Sequence, residues 1–147
     1  MDQPSAPNTR LQVWVGHWRT KGESGGTPWH ADTRCAWSVN HQFVVCDQLI
    51  NDRVDQLMIL SYDPSAKAFR ISSIGRDRAP LVAFGRVHGM IWTNSGEIEQ
   101  GGKRILLETV VDFSVPHEYS DRETLSQDGG AHWTEESRGH AIQVQGP

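Results

Sequence analysis

No apolar run in this 147-residue chain approaches the roughly 18–20 residues of a membrane-spanning helix, so a helical membrane span is excluded. No signal-peptide pattern is recognisable either. The polar start Met1-Asp2-Gln3-Pro4-Ser5 reads as a stub left where a leader was removed. Basic blocks are missing. Fourteen Lys and Arg face 18 Asp and Glu, for a net charge of −4, and no cluster is placed to track phosphates. Nucleic acid is therefore excluded as a partner. Cysteine is scarce, with two residues, and there is no Cys-x-x-Cys or His-Glu-x-x-His. Histidine is frequent (17, 30, 41, 88, 117, 132, 140), yet none pair at metal-ligand spacing, and no metal centre is expected. Internal repeats, low-complexity tracts and long helical periodicity are also absent.

What remains is a succession of short alternating segments. Strands are predicted at about 16–24, 32–39, 42–50, 55–62, 67–74, 80–87, 90–98, 103–113, 117–126 and 131–144. Turn signals separate them at roughly 8–12-residue spacing, as in an all-β sandwich or barrel. Residues 1–10 read as a loose tail, 11–147 as one β-barrel domain, and 11–15 as a helical turn capping it. Short connections favour antiparallel neighbours, hence a meander. A meander of about 8–10 strands gains from closure, because closure removes both edges.

Hairpin geometry then predicts facing. A four-residue turn at 63–66 pairs Leu60 with Phe69 and Met58 with Ile71 on an inward face. On 103–113 the inward row is Ile105, Leu107, Thr109, Val111 and Phe113. Pairing through Ser114–His117 sets Thr109 opposite Arg122 and Val111 opposite Ser120. A three-residue turn at 128–130 then sets Arg122 against Glu136 and Ser120 against Arg138. Arg122 and Glu136 are thus expected inside, near Thr109, where a buried charge must find a partner, water or a ligand. That pair suits the carboxylate or carbonyl head of a bound molecule, or forms a structural ion pair near the mouth, or lies outside altogether if the register is off by one residue. Glu108 and Glu123, with Glu135 beside them, are expected to meet on the outer face as solvated charges.

Cys35 and Cys46 become direct cross-strand partners if Asn40-His41 is a two-residue turn, which predicts a disulfide at a hydrogen-bonded site. A disulfide points to a periplasmic or secreted protein, with a cytoplasmic location as the alternative. Ser126-x-Asp128-x-Gly130-x-x-Trp133 matches the Asp-box pattern, in which the Asp folds back on turn amides and the Trp packs beneath. One copy fixes a turn and implies no sialidase.

Several segments resemble an uncharacterised bacterial family of calycin-like, lipocalin-like β-barrels of about 150 residues. They are Gly16-His17-Trp18-Arg19-Thr20-Lys21-Gly22-Glu23, Cys35-Ala36-Trp37, Phe43-Val44-Val45-Cys46, Leu60-Ser61-Tyr62-Asp63 and the Asp128-Gly129-Gly130…Trp133 hairpin. The resemblance spans residues 11 to 144 and implies an often exported barrel without an agreed activity. In calycin-type barrels a Gly-x-Trp on the first strand and an Arg on the last seal the floor. Trp18 and Arg138 take those places here, as a cation–π pair. Nitrobindins, ten-stranded barrels holding haem through one His, are a more distant likeness. Their second Gly after the Trp is Thr20 here, and no His falls in their ligand motif.

The chain therefore reads as a binder of a small hydrophobic molecule among Trp18, Trp37, Leu60, Phe69, Ile71 and Trp92. Arg122, Glu136 and Thr109 would orient a polar head, and the protein would be a monomer or dimer. The alternatives are a cavity enzyme (isomerase, cyclase or hydrolase) using Arg122 and Glu136, a haem-binding nitrobindin-like protein, and a non-binding structural domain with a filled core.

Overall fold

The computed structural model describes residues 7–76 and 78–144. A 3₁₀ helix, Asn8–Trp14, precedes ten strands: β1 Gly16–Ser24, β2 Thr27–Trp37, β3 Val44–Ile50, β4 Val54–Asp63, β5 Ala68–Gly75, β6 Arg78–His88, β7 Ile91–Gln100, β8 Lys103–Asp112, β9 Glu118–Ser126 and β10 Thr134–Gln143. Each strand pairs antiparallel with the next, and β10 returns to β1 to close the barrel. Closure leaves no sheet edge. β2 starts earlier than its sequence pattern suggests because Gly25 and Gly26, both at positive φ, make a two-residue turn.

The loose tail is corrected in part. Residues 1–6 lie outside the described residues, but Asn8 to Arg10 belong to the helix. Asn8 is buried and its Nδ2 donates to the Gln42 carbonyl at 3.0 Å, tying the helix to the β2–β3 loop. Leu11 is fully buried, and Trp14 packs edge-on against Trp92 and Phe113 at 5.6 and 5.0 Å between ring centroids. Trp18, Phe69, Val44, Leu60 and Tyr119 complete an aromatic-rich core at this end. The other end of the barrel is open.

Cys35 and Cys46 are cross-strand partners and form a disulfide. The pairing arises from a longer loop than expected. Ser38 N donates to Phe43 O and His41 N to Ser38 O, so Val39–Gln42 form a four-residue loop with the same centre. Lengthening the loop symmetrically keeps every partner but exchanges hydrogen-bonded and non-hydrogen-bonded sites. The cysteines therefore occupy a non-hydrogen-bonded site, where facing side chains lie closer.

The faces of β4 and β5 are as expected, with a register offset. Leu60 pairs with Ile71, and Tyr62 with Phe69. An offset of two residues along one strand changes partners without changing faces. On β8 the row Ile105, Leu107, Val111 points inward and is buried, as is Phe113 just beyond the strand, while half-buried Thr109 shares the row.

β9 departs by one residue, and the consequence is large. Val111 pairs with Asp121, Thr109 with Glu123 and Val110 with Arg122. The loop between β8 and β9 holds five residues, with His117 at φ 63°, so the strand enters one position later than a four-residue turn allows. That slip turns Tyr119, Asp121, Glu123 and Leu125 inward, and Ser120 and Arg122 outward. A bulge between Glu135 and Ser137 on β10 then aligns Ser137 with Glu123, Gly139 with Asp121 and Arg138 with Arg122.

Candidate functional site: an acidic cavity in the open end of the barrel

Inside the barrel, above Trp14, lies a cavity of about 680 Å³. That is within the range of small-molecule sites, about 300–1,000 Å³. Its wall is mixed. Ile50, Val54, Met58, Leu60, Ile71, Leu81 and Ala83, from β3 to β6, supply apolar lining on one side, interspersed with Gln48, Gln56 and Ser73 of the same strands. Asn94, Thr109, Asp121, Glu123 and Ser137, from β7 to β10, supply a polar belt on the other, beside Val111 and Tyr119. The polar side follows from strand pairing: Asn94 faces Thr109, Thr109 faces Glu123, and Glu123 faces Ser137. Successive inward positions thus form a belt crossing four strands.

One step nearer the floor the same geometry places Asp121 opposite Gly139, Gly139 beside Gly22, and Gly22 opposite Trp29. The two glycines leave room for the Trp29 indole to lie against the wall, where its Nε1 donates to Ser137 Oγ at 3.0 Å. A Cβ at Gly139 would sit 2.5 Å from Asp121 Oδ1 and 2.9 Å from the Trp29 ring, so carboxylate and indole meet over that glycine.

Asp121 is the chemically unusual group. Its Oδ1 is buried and makes no hydrogen bond. Burial, reinforced by the like charge of Glu123, pushes its carboxyl up to about 6, which the amides of Asp121 itself and Gly139 oppose only in part. Tyr119, deeper still, bonds Thr20 through the two hydroxyls at 3.3 Å, and burial pushes its phenol up to about 12. Asn94 is 9% exposed, and its Oδ1 also lacks a hydrogen-bond partner.

The residues expected to bind ligand divide into three groups. Leu60, Ile71 and Thr109 line the cavity, and Glu136 lines its rim. Trp18, Trp37, Phe69 and Trp92 instead belong to the floor. Trp18 donates to the Trp14 carbonyl at 2.9 Å, and Trp92 lies 4.7 Å from Phe69, centroid to centroid. Trp37 donates to Gln12 Oε1 at 2.7 Å. Arg122 is on the outer face, so the expected inward Arg122–Glu136 pair does not form. Arg138 is likewise outside, held by Glu135 through two hydrogen bonds of 2.9 and 2.7 Å. The floor plug is therefore Trp14, and Trp18 has no cation stacked through Arg138. Glu123, expected on the outer face with Glu108, points inward for the same one-residue reason.

The Asp-box turn forms, with Asp128 Oδ1 accepting from the His132 amide at 2.8 Å and Ser126 Oγ accepting from the Gly130 amide at 2.8 Å. Its tryptophan differs from expectation. Trp133 is 45% exposed, capping the turn through the Gly130 carbonyl instead of packing beneath it.

Sequence reasoning missed Trp14, Trp29, Asn94 and Asp121. Gly22 and Gly139 were the available signal for Trp29, since paired glycines on adjacent strands mark a close approach. None of the seven histidines lines the cavity, so its residues do not fit haem held through a wall histidine. Among the described residues no three His, Cys, Asp or Glu side chains are placed to hold a metal ion. No helix among them is long and apolar enough to cross a membrane. No family model matches this chain, and no curated protein matches it.

Proposed function

We propose that this protein binds a small, largely apolar molecule inside the barrel. The observation that carries the reading is the unfilled cavity itself, whose lining mixes apolar side chains such as Met58, Leu60, Ile71 and Ala83 with a belt of polar groups. A core built only for stability would fill such a volume, and would not leave one oxygen each of Asp121 and Asn94 buried without a hydrogen bond. The calycin-like resemblance supports the same reading, since those barrels carry ligands in their open ends, although fold alone does not set function. The disulfide supports an oxidising compartment, and so a periplasmic or secreted protein.

Native mass spectrometry of the protein from its own host, before and after incubation with N-phenyl-1-naphthylamine, tests the reading. A one-to-one adduct that is lost on denaturation is expected. Bare protein in both preparations overturns it.

A second reading, a cavity enzyme, is favoured by one observation. Asp121 is poised near neutrality in a partly apolar site, as a general base requires. Turnover of a bound compound that disappears in Asp121→Asn while binding persists would establish it.

A further inference from the structure

We propose that the outer face of β3 to β6 is where a second copy of this chain docks, forming a two-fold dimer whose two cavities stay open. The inference is independent of what the cavity holds.

The outward positions of these four strands are apolar in adjoining rows. Strand pairing sets Val45 beside Ile59, Ile59 beside Ser72 and Ser72 beside Val82. On one side of that row Leu57 pairs with Ile74, and on the other Phe84 stands beside Arg70. Leu57, Ile74, Val82 and Phe84 are each 36–57% exposed. Single exposed apolar side chains are ordinary, but a contiguous set of them marks an interaction surface. The opposite wall differs: β1 turns Arg19, Lys21 and Glu23 outward, and β9 turns Ser120 and Arg122.

The size of the face suits a dimer. Four strands about 4.8 Å apart, with three outward positions about 6.8 Å apart along each, span roughly 20 by 20 Å, or about 400 Å². Surrounded by a polar rim, such a centre approaches the roughly 800 Å² per partner of a standard interface, and the convexity of the barrel keeps it at the weak end. A dimer dissociating at about 1–100 µM is expected. The docking wall stands beside the open end, whose rim is at Ser24, Asn51 and Arg76, so both cavities stay accessible.

Charge selects the occupant. Within the patch there is one acid, Asp47 beside Leu57 on β3, and one base, Arg70 beside Phe84 on β5. They flank the central row from opposite sides, and among the described residues neither is in an ion pair within the chain. Arg34, across from Asp47 on β2, is turned to Asp32 at 3.6 Å. A two-fold axis lying in the face, oblique to the strands, carries Asp47 of each copy over Arg70 of the other while the apolar rows meet. The surface is therefore complementary to itself. A lipid surface would meet one acid and one base, with no net attraction.

Sedimentation velocity of the full chain from about 2 to 200 µM tests the proposal, a range that brackets the expected dissociation. The proteins are the wild type, Asp47→Lys, Arg70→Glu and Ile74→Lys, each first shown to melt cooperatively. The wild type is expected to rise with concentration from 16.5 kDa towards twice that mass. Each substitution should weaken association about tenfold or more. An equal mixture of Asp47→Lys with Arg70→Glu should recover most of it, because every reversed residue then faces its opposite. Ile74→Lys carries the test if a charge variant does not fold. A wild type that stays monomeric throughout overturns the proposal, and if that monomer floats with phosphatidylglycerol vesicles the face serves a lipid surface instead. A dimer unchanged by the substitutions uses another face and overturns it too. A mixture no better than its components overturns the two-fold arrangement.

Discussion

Asp121→Asn should make the protein more stable at neutral pH, and by an amount that depends on pH. In the folded barrel Asp121 holds its proton up to about pH 6, because burial and the neighbouring Glu123 disfavour its anion. In the unfolded chain it releases that proton near the ordinary 3.8. Between these values the folded state binds more protons than the unfolded one, so rising pH erodes stability through this group. The loss begins near pH 4 and is complete above about pH 6. At about 1.4 kcal/mol per unit, a shift of roughly two units corresponds to about 3 kcal/mol at most. Asparagine keeps the shape against Gly139 and removes the charge, so about 1–3 kcal/mol should be regained at pH 7.5. For a domain of this size that is roughly 3–10 °C in melting temperature. Thermal melts of both proteins at pH 4 and 7.5 are the assay, and the difference between the proteins is the readout. Asp32, Asp112 and Asp128, each held below the usual carboxylate value, titrate in both and cancel. A variant no more stable than the wild type at pH 7.5, or an equal gain at both pH values, would refute a charge held unpaired in the wall. A stabilising substitution at a cavity carboxylate is the pattern expected where stability has been given up for binding.

Removing the disulfide in Cys35→Ser/Cys46→Ser should cost about 2–3 kcal/mol, from the loop closed between residues 11 apart in sequence. Urea denaturation measures that loss, and denatured, unreduced protein should show no free thiols. Gly22→Ala should destabilise by about 1–3 kcal/mol, because its Cβ would overlap the Arg138 carbonyl and the Trp29 ring; an unchanged urea midpoint would argue against the packed indole. Trp14→Ala should cost about 3 kcal/mol, measurable in the same way, because the floor aromatics lose their common neighbour. Arg138→Ala should leave the melting curve where it is, since that side chain serves an exposed pair with Glu135. A clear drop would return Arg138 to the floor.

The barrel was legible because alternation, turn residues and strand count agree with one another. The inward row of β8 was readable from hydrophobicity alone, since Ile105, Leu107, Val111 and Phe113 leave no competing face. β4 and β5 tolerated a register offset of two because a face repeats every second residue. The polar wall failed the same test. β9 reads Glu-Tyr-Ser-Asp-Arg-Glu-Thr-Leu-Ser, with ionisable groups on both faces, so its own sequence does not say which face is inside. Facing had to be carried through the β8–β9 loop, where one residue, with His117 in the left-handed region, reverses it. Arg122 and Asp121 exchanged places as a result. Trp14 was invisible for another reason. A seven-residue 3₁₀ helix is too short for periodicity to show its buried side, and its partners Trp92 and Phe113 lie far along the chain. The cysteine pair came through because its partnership depends on the centre of the loop and not on its length.

Whether the barrel interior receives a ligand is tested most directly by fluorescence titration of N-phenyl-1-naphthylamine into the wild type and Ala83→Phe. Ala83 lines the cavity, and a phenyl ring there occupies the space a ligand body would take. The expected result is a saturable one-to-one, blue-shifted enhancement in the wild type that is lost in a variant still melting cooperatively. No saturable enhancement in the wild type, or one that survives Ala83→Phe unchanged, would contradict binding inside the barrel.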